Sequence, residues 1–155
     1  MKITHLKSYS KELEFEFYDF FLSSKPYDLD YIRSPHLRRQ KIESLFSTYC
    51  KTSQVYTVEE NSKLKLAAFI SDNKSYLEVI FIFGVSKNFG SVEIVKASRN
   101  VLEYAMQSLG KNYVKSEIRR KHKVQSYKKW LERYDKKLII FNDENNTVVW
   151  CNRNI

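Results

Sequence analysis

Apolar residues change their period along the chain, and those changes mark out its elements. Ile3 and Leu6 enclose β-tolerant residues and suit a short first strand. Ser8 or Ser10 then offers a helix cap ahead of Leu13, Phe17, Phe20 and Phe21, which share one helical face; Leu13, Phe15 and Phe17 also fit a period of two. After a loop around Pro26, Ser34 followed by Pro35 reads as an N-cap with proline at the first helical position. Ile42, Leu45, Phe46 and Tyr49 continue as a helical stripe with Leu37 at its edge, leaving Arg38, Arg39 and Glu43 to face water.

The period then shortens. Residues 55–58 and 64–70 are β-rich runs separated by the polar stretch 59–63, the pattern of a hairpin. Asp72, Asn73 and Lys74 form a turn into a third strand, whose residues 77–85 are apolar apart from Glu78, as in a central strand covered on both faces. Ser91 can cap the next helix, where Val92, Val95, Leu102, Ala105, Met106 and Leu109 recur at helical spacing and Gly110 supplies the stop. A strand at 113–118, a short helix at 125–134 and a closing hairpin from 138–141 and 147–151 complete the order β-α-α-β-β-β-α-β-α-β-β.

Length and composition bound what this pattern can be. The chain has 155 residues, 43% of them hydrophobic, which fits one α/β domain over residues 1–155. With only 3 glycines and 2 prolines it has little material for linkers or Gly-rich phosphate cradles, and it carries no internal repeat. The N-terminus lacks the apolar stretch of a signal peptide, and the longest apolar run, 79–85, is far short of the roughly 20 residues needed to span a bilayer, so a cytoplasmic protein without membrane contact is expected. Cys50 and Cys151 lie far apart without a CxxC and are expected to be free, buried thiols; His5 and His36 show no ligand spacing, so no metal site is assigned.

Charge is the last compositional signal. The formal net charge is +9, and residues 111–137 hold eleven Lys/Arg against Glu117, Glu132 and Asp135. A basic region of this kind either is solvated surface or attracts a polyanion, whether nucleic acid, an acidic protein or a cofactor's phosphates.

The element order, with a long apolar fourth strand, a turn, an amphipathic helix, a further strand and a late short helix before a final hairpin, resembles the GNAT N-acyltransferase superfamily over essentially the whole chain. The resemblance implies a mixed, mostly antiparallel central sheet flanked by helices. It also implies acetyl-CoA lying beside the fourth strand, with Phe83 and Val85 at that strand's end. The pyrophosphate is then held by backbone N–H groups in a turn of pattern Arg/Gln-x-x-Gly-x-Gly/Ala, a helix N-terminus serving as anion site. Here the matching run is Lys87, Asn88, Phe89, Gly90, Ser91, Val92: a cation and the middle glycine are kept, and Val92 replaces the last small residue. The same run also reads as an ordinary strand-to-helix turn.

The family's Tyr-Glu-Lys-x-Gly-Phe run, whose Tyr reprotonates the CoA thiolate, resembles Glu132, Arg133, Tyr134 and Asp135 here. Leu131 falls at the Tyr position, the closing Gly-Phe is missing, and no Asn follows the fifth strand. An alkyl side chain cannot act as an acid, so Tyr127 and Tyr134, which flank the position, are the candidate acids; each also suits an amphipathic core position. Glu78 is the candidate general base and His122, in a basic loop, the other.

Two readings result. One is an acyl-CoA-dependent N-acyltransferase acting on a small-molecule or protein amine. The other is a GNAT-like scaffold without catalysis that binds nucleic acid or an acidic partner through Arg119, Arg120, Lys121, Lys123, Lys128, Lys129 and Arg133, with Tyr127 and Trp130 placed to stack on bases. By analogy alone, the composition suits a divergent chain encoded by a phage or mobile element.

Overall fold

The computed structural model describes residues 1–24, 32–117, 139–142 and 147–151 of the chain. Its elements run β1 (Lys2–Leu6), α1 (Lys11–Ser24), α2 (Pro35–Thr52), β2 (Gln54–Glu60), β3 (Lys63–Asp72), β4 (Leu77–Gly84), α3 (Ser91–Leu109), β5 (Tyr113–Glu117), β6 (Ile139–Asn142) and β7 (Thr147–Cys151). The strands form one 7-stranded sheet in the order β1-β2-β3-β4-β5-β7-β6. Every neighbouring pair is antiparallel except β4 with β5, so the sheet is mixed and mostly antiparallel, the α/β class expected from the pattern. The expected helix at 125–134 lies outside the described residues.

Local chemistry explains where the elements start and stop. Ser10 caps α1, its Oγ accepting from the Leu13 N–H at 3.2 Å, and Ser34 does the same for Leu37 at the start of α2, where Pro35 needs no N–H partner. The polar stretch 59–63 is mostly strand rather than loop: β2 and β3 extend until only Asn61 and Ser62 remain, both with positive φ (54° and 63°), the conformation a two-residue hairpin turn demands. At the end of α3, Gly110 takes the left-handed conformation (φ 65°, ψ 35°) and donates to the Met106 carbonyl.

The sheet separates two cores. On one face α1 and α2 bury Leu13, Phe17, Phe21, Ile42 and Phe46 against Val55, Ala67, Phe69 and Phe83; on the other α3 buries Ala97, Val101, Ala105 and Met106 against Tyr56, Val58, Leu66, Ile70, Leu77 and Val114. The first face is a layer of rings. Phe17 lies at centroid distances of 4.8 Å from Phe21, 5.1 Å from Phe46, 5.8 Å from Phe69, 5.7 Å from Phe81 and 5.9 Å from Phe83, mostly tilted or edge-on. Two expectations are corrected here. Val92 lies outside the α3 stripe, 53% exposed, because the buried face runs through Ile94 and Ala97 instead. Cys50 is exposed and free rather than buried, since it lies off the Ile42, Phe46 and Tyr49 face of α2; partial desolvation and the Glu14 charge still raise its thiol pKa.

Among the described residues one charged side chain, that of Lys65, is buried at the sheet. Lys65 on β3 is only 6% exposed, and its Nζ pairs with Glu60 at 2.7 Å. That hydrogen bond holds the Glu60 carboxyl below the ordinary carboxylate range. A depressed carboxyl stabilises the fold above its unfolded pKa, and that contribution is lost as pH falls through the folded value. Glu60→Gln is therefore expected to lower stability at neutral pH and to flatten the acid side of a Tm-versus-pH curve. A Tm profile from pH 7 to pH 3 with the same acid slope in both proteins would contradict this. Among the described residues no helix is long and apolar enough to cross a membrane.

Candidate functional site

β4 organises the site through where its pairing stops. Its ladder to β3 slips between Phe69 and Ile70, so that Phe69 faces Phe81 and Ile70 faces Val79 while Ile80 is left without a partner, a bulge in β4. On its other edge the described pairing of β4 with β5 covers Leu77, Glu78 and Val79. Among the described residues, 80–84 run on for roughly 13 Å at about 3.3 Å per residue with their β5-side backbone groups unpaired by any strand.

That edge leads into a helix start whose first N–H groups have no intrahelical acceptor. The first intrahelical bond of α3 runs from Ile94 N–H to Gly90 O (3.1 Å), so the N–H groups of Ser91, Val92 and Glu93 have no intrahelical acceptor. Gly90 occupies the N-cap position (φ −70°, ψ 160°) and brings no capping side chain; Ser91, expected as the cap, is the first helical residue instead. Together with the helix dipole, this makes a concentration of positive partial charge at a solvent-facing turn. Glu93 in the same first turn offsets part of it.

Three contacts shape the turn between strand and helix. Val85 N–H donates to Lys65 O at 2.9 Å, Asn88 N–H to Val85 O at 3.4 Å, and the buried Lys65 ammonium lies 5.0 Å from the centroid of the Phe89 ring. Gly84 sets the approach of strand to helix, because a Cβ there would stand 2.4 Å from Ile94 Cγ2. At Gly90 a Cβ would meet nothing within 4 Å. The chain's own packing therefore needs glycine at 84 and leaves space beside 90.

Glu78 falls on the face opposite Leu77 and Val79, which is the α1/α2 face, and is half-buried. Its register neighbours are Ser71 on β3 and Lys115 on β5, and the Asn73 amide nitrogen lies 3.5 Å from its Oε2. The side chains of Phe83 and Val85 are buried in the aromatic core, so what β4 offers a ligand at its open edge is backbone. Lys87 does not point along the helix start. Its Nζ pairs with Glu16 Oε1 at 2.7 Å, lies 3.9 Å from Asp19 Oδ2, and stands 5.2 Å over the Phe15 ring; the bond to Glu16 raises the lysine's pKa. A cleft of about 310 Å³ opens here between α1 and the end of β4, lined by Glu16, Asp19, Phe20, Ser23, Gly84, Val85, Ser86 and Lys87.

The structure thus brings together Lys87, Gly90, Ser91 and the end of β4, and places Glu78 at that strand's other end. Tyr127, Tyr134, His122 and the basic residues Arg119, Arg120, Lys121, Lys123, Lys128, Lys129 and Arg133 lie outside the described residues. Lys111, at the start of the basic region, is bound into the fold: its Nζ donates to the Lys74 carbonyl at 2.9 Å and lies 3.4 Å from Asp72 Oδ1. Sequence reasoning missed Glu16, Asp19 and Gly84. The first two carried a signal, since residues three apart share a helix face; the third, a glycine within an apolar run, signals close backbone approach.

No family model and no curated protein sequence matches the chain. Solved structures do. The N-acetyltransferase PseH of Campylobacter jejuni, in complex with acetyl coenzyme A, aligns with a TM-score of 0.60 at 11% identity over 99% of this chain and 99% of its own. A GNAT family acetyltransferase of Elizabethkingia anophelis with acetyl-CoA bound aligns with a TM-score of 0.56 at 9% identity over 96% and 95%. PH1933 of Pyrococcus horikoshii aligns with a TM-score of 0.64 at 14% identity over 98% and 98%. At these identities the likeness is one of fold.

Proposed function

With the fold of the GNAT acetyltransferases as its frame, we propose that this chain is an acyl-CoA-dependent N-acyltransferase that takes an amine as acceptor. The observation that carries the reading is that, among the described residues, β4–β5 pairing ends at Val79, so that the β4 edge over 80–84 runs without a described strand partner directly into a start of α3 with no side-chain cap. An extended, amide-bearing arm such as that of CoA can hydrogen-bond along such an edge, while its pyrophosphate meets the N–H groups of Ser91 to Glu93, which have no intrahelical acceptor. Two of the aligned structures hold acetyl-CoA, which supports this choice of cofactor.

In this reading Glu78, directly or through a water, takes the proton from the attacking amine. The C–N bond forms at the thioester carbonyl, the C–S bond breaks, and Tyr127 or Tyr134 protonates the departing thiolate. Acetyl-CoA at 100 times its Kd stabilises the protein by about 2.7 kcal/mol, visible as a higher Tm. No shift at millimolar acetyl-CoA sinks the proposal. Gly90→Ala sharpens the test, because nothing in the chain occupies the space its methyl would fill. Tm should be unchanged, whereas acetyl-CoA affinity should fall roughly tenfold, or about 1.4 kcal/mol. Equal affinity in both proteins would remove the turn from the binding site.

A second reading is favoured by one observation: Lys87, the turn's cation, is already neutralised by Glu16. In that version the chain is a non-catalytic scaffold binding nucleic acid or an acidic protein through residues 119–133. Changing Arg119, Arg120 and Lys121 to Glu should then abolish salt-dependent nucleic-acid or heparin binding.

A further inference from the structure

Lys87 is the turn residue whose charge suits a phosphate, yet its ammonium is directed at α1. Glu16 and Asp19 lie one helical turn apart there and line the same cleft as Lys87. Of the two carboxylates Glu16 is the closer and the better sheltered, its side chain 11% exposed against 49% for Asp19. The Lys87 side chain is itself 45% exposed and flexible, so its Nζ is free to exchange partners by rotation about its own bonds. An anion at the start of α3 and the Glu16 carboxylate are therefore rivals for one cation.

We propose that Glu16 is a positioning residue for Lys87, an electrostatic latch that ties the β4–α3 turn to α1 until an anionic ligand at the helix start takes the lysine over. The inference rests on the reading of that turn as a cofactor phosphate site and adds what the bare motif lacks, a reason for the acidic face of α1. Binding carries a built-in cost, since the ligand must displace a carboxylate before gaining the ammonium.

The signs of the effects separate a latch from a merely structural ion pair. With acetyl-CoA as the probe and the full chain as the protein, calorimetric titration should show Glu16→Gln binding about two- to fivefold more tightly than the parent, the scale of an ion pair whose lysine is half-exposed. Lys87→Gln should bind about tenfold more weakly. The double variant should match Lys87→Gln alone, because Glu16 acts only through the lysine, and such non-additivity is what a double-mutant cycle detects. Asp19→Asn, a more exposed change, should give a smaller gain in the same direction, and it carries the test if Glu16→Gln does not fold.

Weaker or unchanged binding by Glu16→Gln and Asp19→Asn, while the parent binds, overturns the latch and leaves the acyltransferase reading standing. A gain from Glu16→Gln that persists when Lys87 is already Gln overturns it too. If neither the parent nor any variant binds acetyl-CoA, the acyltransferase reading fails and the latch falls with it.

Discussion

Phe17→Ala is expected to lower stability by about 3–5 kcal/mol, the usual consequence of deleting a fully buried phenylalanine. Phe17 is wholly enclosed, and its ring is the centre against which Phe21 and Phe46 from the helices meet Phe69, Phe81 and Phe83 from the sheet. Alanine leaves a cavity walled by flat, edge-packed rings that cannot all collapse into it. At roughly 2–4 °C per kcal/mol for a domain of this size, Tm should fall by about 6–20 °C. For comparison, Phe15→Ala on the same helix, with its ring exposed, should shift Tm by no more than about 2 °C, within the usual range for surface substitutions. A thermal melt in which the two variants behave alike would show that the aromatic layer is not the core of the domain.

Gly84→Ala should cost about 1–3 kcal/mol for the opposite reason, overpacking. The added methyl would stand 2.4 Å from Ile94 Cγ2 and 3.0 Å from its Cδ1, and a β-branched side chain in a helix has little rotamer freedom with which to withdraw. The start of α3 must then move away from the end of β4. Gly84→Ala is thus expected both to lower Tm, by roughly 2–12 °C, and to weaken acetyl-CoA binding, because the end of β4 and the helix N-terminus no longer stand in register. Ile94→Ala in the same protein removes the obstructing atoms and should restore most of the loss relative to Ile94→Ala alone, a coupling measurable by double-mutant cycle. Additive losses would place the strain elsewhere.

Most of the element pattern was legible because it is local. Leu13, Phe17 and Phe21 announce one face of α1, and Ser34 with Pro35 announces the start of α2; hydrophobic period and cap chemistry act within a few residues. The pattern misread two such places. Ser91 is the better cap by chemistry, yet Gly90 takes that position and Ser91 is the first helical residue. Val92 matched the helical period but faces water, since on that turn the sheet is met by Ile94.

The candidate site divides in the same way. Gly90 and Lys87 are visible as a motif within six residues of chain, and Glu78 as a carboxylate in an apolar strand. Nothing in that motif shows that Lys87 is held by Glu16, 71 positions earlier, or that Lys65 lies beneath Phe89. By itself the sequence determined the order of the described elements, the two helical faces that build the aromatic layer, and the apolar strand with its glycine turn, all of which depend on neighbours in the chain. Only the tertiary structure decided that, among the described residues, β4–β5 pairing ends at Val79, that Ile80 bulges, and that the turn's cation is paired with α1. Each of these depends on which strands and side chains meet across the sheet, a matter of register and packing between segments far apart in sequence.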